Sequence, residues 1–507
     1  MPDLYRGLDP ELARGLDPHV AEMLAVWADL HGRHYALDRW LVNGRSRQPV
    51  AVVRETDSHK VECTMLVLKV LSAERDSLRT NEFARHRRAE RDAADFAAAH
   101  LSTFVHDAVP VSPRQWITFQ RIAANAFENT EVLTVLLRRM LGLADEIEPP
   151  HARELTCRPE VFTDACRSIV AGVLGDWAGK PYILPDQKWS PAQFFASHLF
   201  DQLEPDGRLA TWSRNHPAAL LTLDGEPAPL PNPFAVARGE LFADTLIAPL
   251  TGHSHGDLHT DNALIRVRPH TDVTDYYLID TALYDSVGPL TRDPAHLLLY
   301  IIARAMEAVS PPQQSPLIEV LLDPITGPTH LLPGWLATLI QGIHTETTSW
   351  IDKSGLAPAW RTQSHLSLAA CALLFLGRTS TRPQDKPWFL RLAARATAKF
   401  AQEHSLPWTT LPTQPLTPTP SPLAPQPDSQ LTPNIVPSNH PNTANTANAA
   451  ESANHVPNAD PQIAATPPTA SEPEPSGRRK KSRYTVNVRD GKGIQIGDNG
   501  HQHNDFR

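Results

Sequence analysis

The stretch that most constrains this 507-residue chain runs from His253 to Asn262, and a short apolar run ending at Asp280 follows it. Three oxygen-bearing side chains stand here at fixed spacing. Asp257 follows a His-Gly pair in a predicted tight turn and can take a proton from a hydroxyl. Asn262 offers a neutral oxygen, and Asp280 offers a charged one. Because Mg²⁺ is usually held by one or two protein oxygens together with phosphate oxygens, the stretch predicts chemistry on a Mg²⁺-bound nucleotide.

The order Asp, then Asn five residues later, then Asp after a strand pair is typical of kinase-type catalytic and metal-binding loops. The residues read His255-Gly256-Asp257-Leu258-His259-x-x-Asn262, followed by Leu278-Ile279-Asp280. This pattern resembles the aminoglycoside phosphotransferase and choline kinase branch of the protein-kinase-like fold. The resemblance implies an α+β, two-lobed fold with a small antiparallel β lobe and a mainly α large lobe. It also implies that Asp257 is catalytic and that Asn262 and Asp280 bind the metal.

Two other interpretations of the stretch stay open. It could be a polar loop between a helix and a hairpin, with histidines that cap or pack. It could also be a zinc site built from His253, His255 and His259. No cysteine accompanies these histidines, and their spacing is not one of the usual zinc patterns. The agreement of three residue types at fixed spacing favours the kinase-like interpretation.

The third of three predicted small-lobe strands, 65–71, places Lys69 inside an apolar run. Burying a lone lysine is costly. The resemblance implies that Lys69 reaches the α and β phosphates and pairs with a glutamate on the next predicted helix, 81–99. Glu82 is the first candidate and Glu90 the alternative. A lysine on an edge strand that points to water is the competing interpretation.

The loop between the first two predicted strands, 34–42 and 49–54, contains an Asn-Gly pair. Under the resemblance this loop covers the nucleotide phosphates. Gly44 allows close backbone approach, and Arg45 and Ser46 supply groups that bind phosphate oxygens. An Asn-Gly pair by itself is far more often an ordinary hairpin turn.

Helical spacing of apolar residues predicts a leading helix at 11–31 and a mainly helical region from Glu131 onwards. Helices of that region are expected at 161–177, 191–203, 234–250, 295–308, 315–322, 332–351, 363–377 and 385–404. Asp293 precedes Pro294 and is predicted to cap the N-terminus of its helix. In the resembling families an aspartate in this place braces the catalytic loop. Asp293 and His255 are therefore expected to give structural support.

The C-terminal part changes composition. Residues 406–483 are rich in Pro, Thr, Asn and Ala and end in a basic cluster, which predicts a disordered linker. Residues 484–507 return to alternating β-forming residues. The tetrad Ile494-Gln495-Ile496-Gly497 resembles the RHIM-like amyloid signalling motifs of bacterial proteins, whose partner would be another copy or a protein with a matching motif. A short tail without structure is the alternative.

Bulk composition limits the function classes. A net charge of −9 argues against general nucleic-acid binding, which usually shows a basic surface. Four scattered cysteines without a CxxC pattern are typical of reduced thiols. No signal peptide and no apolar stretch long enough to span a membrane is evident. We therefore expect a cytoplasmic protein.

Together the patterns predict five segments and a phosphotransferase. The segments are a helical extension, a small lobe, a large lobe, a linker and an assembly motif, at 1–33, 34–124, 125–405, 406–483 and 484–507. The expected cofactors are Mg²⁺ and ATP or GTP, and the acceptor is a hydroxyl of a small molecule or a protein. The combination resembles phosphotransferase-like domains of bacterial conflict systems, some described as ternary-complex-associated. The alternatives are a pseudokinase adaptor that signals through its tail and an antibiotic-inactivating enzyme.

Overall fold

The structure is a computed structural model of the whole chain. It describes residues 7–40, 49–57, 63–72, 82–121, 129–143, 155–179, 182–183, 186–408 and 413–415. The predicted phosphate loop with Gly44, Arg45 and Ser46 lies outside the described residues, and so does the predicted assembly motif at 494–497. The described part mixes helices with small, mainly antiparallel sheets, as the α+β prediction requires.

Fourteen α-helices are numbered along the described part of the chain. They are α1 Pro10–Gly15, α2 Pro18–Leu30, α3 Glu82–Asp92, α4 Ala94–His100, α5 Leu133–Met140, α6 Pro159–Gly172, α7 Pro191–Leu199, α8 Ala210–Asn215, α9 Pro233–Ala237, α10 Arg292–Ala305, α11 Pro311–Leu322, α12 Gly334–Asp352, α13 Ala357–Gly377 and α14 Lys386–Glu403. Helix α6 continues into a π-helical turn at Val173–Trp177. None of the described helices is both long and apolar enough to cross a membrane.

Fourteen strands lie within the described residues. They are β1 Arg33–Trp40, β2 Val50–Asp57, β3 Cys63–Ser72, β4 Val109–Ser112, β5 Gln115–Arg121, β6 Thr130–Val132, β7 Tyr182–Ile183, β8 Leu220–Thr222, β9 Leu230–Pro231, β10 Leu250–Ser254, β11 Ala263–Arg266, β12 Asp272–Leu278, β13 Asp285–Pro289 and β14 Thr413–Pro415. The first five form one antiparallel sheet in the order β1-β2-β3-β5-β4. Strand β3 therefore lies in the middle of this sheet.

Two short helices cover one face of the five-stranded sheet. The sequence predicts a single leading helix, whereas the chain forms α1 and α2 with a break at Leu16–Asp17. The break follows from Pro18, which cannot continue a helix from the preceding turn, and from Asp17, whose side chain accepts from the His19 amide and caps α2. Both helices pack into one apolar core with the inner residues of the sheet.

The remaining helices pack around a second and larger core. Helices α13 and α14 run through it, and helix α10 packs against α13. The sequence prediction of a helix over 234–250 is wrong. Helix α9 ends at Ala237 because Gly239 takes a left-handed φ of +74°, the conformation that commonly terminates a helix. The chain then runs without regular helix into strand β10.

Strands β10 to β13 position the segment that carries the predicted catalytic and metal-binding residues. Strand β10 pairs with β13, and β11 pairs with β12 in a hairpin. The loop between β10 and β11 therefore starts from one small sheet and ends in another. A backbone hydrogen bond from Ser102 N to Leu278 O, 3.3 Å long, ties the segment after α4 to the end of this hairpin.

Candidate active site

The loop at 255–262 is fixed to helix α10 through one carboxylate. Asp293 accepts hydrogen bonds from the amides of His255 and Gly256 at 2.7 and 2.9 Å and from the Ser254 hydroxyl at 3.0 Å. All four residues are buried. Because buried N–H groups must find partners, Asp293 holds the tight turn that precedes Asp257.

The predicted helix-capping role of Asp293 is wrong. Helix α10 begins at Arg292, two residues before the predicted first helical residue Pro294, and its N-cap position is Thr291, whose side chain makes no capping hydrogen bond. The Asp293 carboxylate faces the loop and is occupied by donors from that loop.

The β11–β12 hairpin brings Asn262 beside Asp280. Ala263 pairs with Leu278, and the Ile279 amide donates to the Asn262 main-chain oxygen at 3.0 Å. Asp280 is the next residue. The two residues predicted to bind metal therefore lie next to each other at the open end of the predicted hairpin.

The Asn262 side chain has one free acceptor. Its Nδ2 donates to the Asp257 main-chain oxygen at 3.0 Å. Its Oδ1 is buried and has no hydrogen-bond partner among the described residues. A buried oxygen without a donor is costly, so the site offers a hard oxygen ligand. Together with the Asp280 carboxylate, this donor set fits Mg²⁺, which takes its remaining ligands from phosphates and water.

Asp280 adopts a left-handed backbone with φ of +59°. Aspartate tolerates this region better than most residues, but the conformation is still uncommon. Its Oδ1 accepts from the Ala282 amide at 3.4 Å, and the residue is buried. Strained residues that the surrounding structure holds in place are often functional.

The Asp257 side chain is only 8% exposed. Within the described residues, three nitrogen-bearing side chains face it. Arg378 Nη2 lies 3.4 Å and His296 Nε2 lies 3.6 Å from Oδ1, whereas His259 Nε2 lies 3.5 Å from Oδ2. Arg378 can therefore stabilise negative charge on Oδ1, and His259 can do so on Oδ2.

These neighbours set the ionisation of the site. Burial alone would raise the pKa of Asp257, but His259, His296 and Arg378 outweigh it and hold the pKa well below its usual range. Burial lowers the pKa of His259 although Asp257 opposes it. Burial and Arg378 hold the pKa of His296 well below its ordinary value. The Asp257 side chain is therefore in its deprotonated, negatively charged form.

The zinc alternative does not fit the geometry. His255 Nε2 donates to the Ile279 carbonyl at 3.0 Å, and its Nδ1 accepts from the Asp257 amide at 3.3 Å. His253 Nδ1 donates to the Trp177 carbonyl at 2.9 Å. Across the part of the chain that the structure describes, no three His, Cys, Asp or Glu residues are placed to hold a metal ion.

Lys69 lies on the central strand β3, so the edge-strand alternative is wrong. Its Nζ donates to Glu82 Oε2 at 2.7 Å, and both side chains are largely buried. Glu90, the other glutamate considered, contacts Arg87 at 2.9 Å instead. The Lys69–Glu82 ion pair thus joins the five-stranded sheet to helix α3.

Helix α3 also contacts the segment that follows Asp280. Arg85 donates to the Ala282 carbonyl at 2.8 Å, and His86 Nδ1 lies 3.0 Å from the Thr281 hydroxyl. Arg88 contacts the Ser286 hydroxyl at 2.5 Å. The helix that carries Glu82 is therefore attached directly to the segment that carries Asp280.

Sequence reasoning missed the side chains around Asp257. The sequence motif contains His259 but does not predict its contact with Asp257, and it does not include His296 or Arg378. His296 lies on α10 three residues after Asp293, so its helical register was a usable signal. Arg378 is 121 residues from Asp257, and nothing local marks it.

No protein-family model matches the chain, and no curated protein matches it. Among solved structures, a glucosamine kinase in complex with glucosamine, ADP and inorganic phosphate is similar at 10% identity and a TM-score of 0.35, over 77% of this chain and 88% of that chain. A candidate aminoglycoside phosphotransferase from Ralstonia eutropha JMP134 is similar at 13% identity and a TM-score of 0.35, over 76% and 98%. Another glucosamine kinase structure, crystal form B, is similar at 11% identity and a TM-score of 0.33, over 78% of this chain and 99% of that chain. Similarity at this level assigns neither family nor activity to this chain.

Proposed function

We propose that this chain is a two-lobed, kinase-like phosphotransferase that moves the γ-phosphoryl group of ATP or GTP to a hydroxyl acceptor. The observation that carries the proposal is the convergence of Asp257, Asn262 and Asp280. Asp257 is a buried carboxylate, and Asn262 presents a buried oxygen without a partner among the described residues. Asp280 is held in a left-handed backbone conformation. The Lys69–Glu82 ion pair adds a buried cation on the neighbouring sheet.

In the proposed reaction, the acceptor oxygen forms a bond to the γ-phosphorus while the bond to the β–γ bridging oxygen breaks, leaving a nucleoside diphosphate. Asp257 orients the acceptor hydroxyl and receives its proton. Asn262 and Asp280 would hold Mg²⁺, which neutralises charge on the phosphates when bound. Lys69, oriented by Glu82, would bind the α and β phosphates. Gly44, Arg45 and Ser46 keep their predicted role over the phosphates.

Turnover of MgATP and MgGTP by the full chain tests this proposal. Release of nucleoside diphosphate is measured without an acceptor, with a panel of sugar, amino-alcohol and nucleoside hydroxyls, and by autophosphorylation. The matched variant is Asp257→Asn, which keeps the shape and removes the charge. We expect turnover to fall about 10²-fold or more in the variant, the usual range for a proton-transfer group. Failure of the wild type to bind either Mg²⁺-nucleotide would refute the proposal.

A pseudokinase adaptor is the second candidate. The observation in its favour is the enclosure of Asp257 by His259, His296 and Arg378, which lowers the basicity of the carboxylate. This candidate predicts nucleotide binding that depends on Lys69 and Asp280, with no release of nucleoside diphosphate under any acceptor condition. Turnover that disappears in Asp257→Asn excludes it.

For the C-terminal segment we propose assembly through Ile494, Gln495, Ile496 and Gly497, in a cytoplasmic bacterial conflict system. The support is the alternation of aliphatic and polar residues in the sequence. Sedimentation and thioflavin fluorescence of the full chain provide the test, with Ile496→Asp as the matched variant. We expect concentration-dependent fibrils in the wild type only. A wild type that stays dispersed and thioflavin-negative contradicts the assembly proposal and leaves the phosphotransferase proposal intact.

A further inference from the structure

Arg378 lies beside the base of the proposed reaction, and nothing in the catalytic-loop motif accounts for it. We propose that Arg378 is a positioning residue: it holds the Asp257 carboxylate in the orientation that receives the acceptor hydroxyl. This inference rests on the proposed phosphotransferase function and deepens it.

Contacts other than the one with Asp257 already restrict the Arg378 side chain. It occupies the C-cap position of helix α13 in an extended backbone conformation. Its guanidinium lies 4.5 Å from the centroid of the Phe375 ring and 5.5 Å from that of Tyr300. A planar guanidinium stacked on aromatic rings loses little further freedom when it forms hydrogen bonds. The side chain is 14% exposed, so water competes weakly for it.

His296 connects Arg378 to the backbone of the catalytic loop. Arg378 Nη2 lies 2.9 Å from His296 Nε2. Because a guanidinium only donates, Nε2 accepts and the proton of the neutral ring sits on Nδ1. That nitrogen donates to the Leu258 carbonyl at 2.9 Å. Arg378 therefore acts on both the carboxylate and the main chain next to it.

The contacts that fix the catalytic loop leave the Asp257 carboxylate free to rotate, and Arg378 restricts that rotation. Asp293 fixes the backbone before Asp257, and Asn262 fixes its carbonyl, yet neither touches its carboxylate. Rotation of the carboxylate is set by the groups that face its oxygens. Arg378 is the donor that faces Oδ1, because the neighbouring His296 Nε2 accepts from Arg378, and His259 Nε2 faces Oδ2.

The 3.4 Å separation between Arg378 Nη2 and Asp257 Oδ1 is long for a hydrogen bond. Catalytic hydrogen bonds without substrate are often long and shorten in the reactive complex. A cation that draws Oδ1 to one side leaves Oδ2 as the oxygen that meets the acceptor. A misplaced base can reduce the rate about 10²-fold, so positioning is a measurable contribution.

The test compares full-chain Arg378→Ala, Arg378→Gln and Arg378→Lys at one fixed pH. The readout is nucleoside diphosphate release from MgATP, with water or the panel hydroxyl that gives the highest wild-type turnover as the acceptor. Arg382→Ala is the matched control, because Arg382 lies four residues further on and pairs with Asp385 at 2.7 Å. We expect kcat to fall about 10–100-fold in Arg378→Ala, with KM for MgATP within about twofold of wild type. Arg378→Lys restores part of the loss because a cation again faces Oδ1, whereas Arg378→Gln does not. Arg382→Ala behaves as wild type.

Thermal unfolding of each variant separates positioning from folding. If Arg378→Ala fails to fold, the comparison of Arg378→Lys with Arg378→Gln decides: equal kcat in the two overturns the inference. Wild-type kcat in Arg378→Ala also overturns it. So does a loss that appears in KM for MgATP and not in kcat. Wild-type turnover that Asp257→Asn abolishes, combined with any of these results, overturns the Arg378 role alone. A wild type without turnover under every acceptor condition used to test the proposed function overturns this inference together with the phosphotransferase.

Discussion

The Asn262 side chain donates to the Asp257 main-chain oxygen at 3.0 Å. This single hydrogen bond orients the amide, because Nδ2 must point to the loop and Oδ1 must point away from it. Oδ1 is left buried and without a donor among the described residues. The proposed base and the proposed metal ligand are thus positioned by the same contact.

Removal of the Asn262 amide is expected to weaken Mg²⁺-dependent nucleotide binding. Asn262→Ala deletes the oxygen ligand and the hydrogen bond to Asp257. We expect the Mg²⁺ concentration for half-maximal binding to rise about tenfold or more, equivalent to about 1.4 kcal/mol. Titration of Mg²⁺ against a fluorescent ATP analogue measures this, and EDTA should abolish wild-type binding. The exposed Asn215→Ala serves as control. An unchanged Mg²⁺ requirement in Asn262→Ala would remove Asn262 from the metal site.

The Lys69–Glu82 ion pair predicts a nucleotide defect that Glu90 does not share. Glu82→Gln keeps the size of the side chain but removes the charge 2.7 Å from Lys69 Nζ. A hydrogen bond to a charged group contributes about 1.5–3 kcal/mol, so kcat/KM for MgATP should fall about tenfold or more. Steady-state kinetics provide the measurement. Glu90→Gln, on the same helix, should retain wild-type kinetics; an equal defect in both variants would contradict the assignment of Glu82.

The local parts of this fold could be predicted from sequence because short-range patterns determine them. Three apolar runs gave strands β1 to β3, and the spacing from Asn262 to Asp280 matched a hairpin that the chain forms. Lys69 stands out in the sequence because burying a lone lysine in an apolar strand is costly, which predicts an acidic partner. Each of these signals lies within about twenty residues.

The long-range parts could not be predicted in the same way. Arg378 reaches Asp257 only because α13 packs against α10, and no residue near Arg378 records that packing. The family resemblance predicts that Asp293 braces the catalytic loop, where its carboxylate accepts from residues 254–256, whereas its neighbours in sequence favour a helix cap that the chain does not form. Tertiary partners decided both cases.

Gly256 is expected to tolerate no side chain. It has φ of +81°, and an added Cβ would collide with the Leu283 main-chain oxygen. Gly256→Ala should therefore distort the turn before Asp257, lower turnover and destabilise the protein. Gly355→Ala is a matched control, since Gly355 has φ of +73° but open space around the added Cβ. We expect Gly355→Ala to cost about 1–2 kcal/mol of unfolding free energy, the usual penalty for a left-handed backbone, and Gly256→Ala to cost clearly more. Equal costs in denaturant unfolding would mean that the loop can move away from Leu283.

Glu55 predicts an acid-sensitive step in the stability of the five-stranded sheet. Its Oε1 accepts from Arg33 at 2.6 Å, and its Oε2 accepts from the Tyr35 hydroxyl at 2.6 Å and faces His106 Nε2 at 2.5 Å. Burial alone would raise the pKa of Glu55, but the contacts with His106, Tyr35 and Arg33 outweigh it and lower the pKa below its ordinary value. A carboxyl with a lower pKa when folded stabilises the protein above its unfolded pKa of about 4.3.

That stabilisation is lost as the pH falls from about 4.3 through the lower folded pKa, because the unfolded chain then binds the proton first. Thermal unfolding from neutral to acid pH should therefore show a steeper loss of Tm for the wild type than for Glu55→Gln, which carries no titrating group at this position. Glu22→Gln is the control, since Glu22 is 57% exposed and should leave the acid limb unchanged. Parallel Tm curves for wild type and Glu55→Gln below about pH 4.3 would show that Glu55 does not supply the acid-sensitive step.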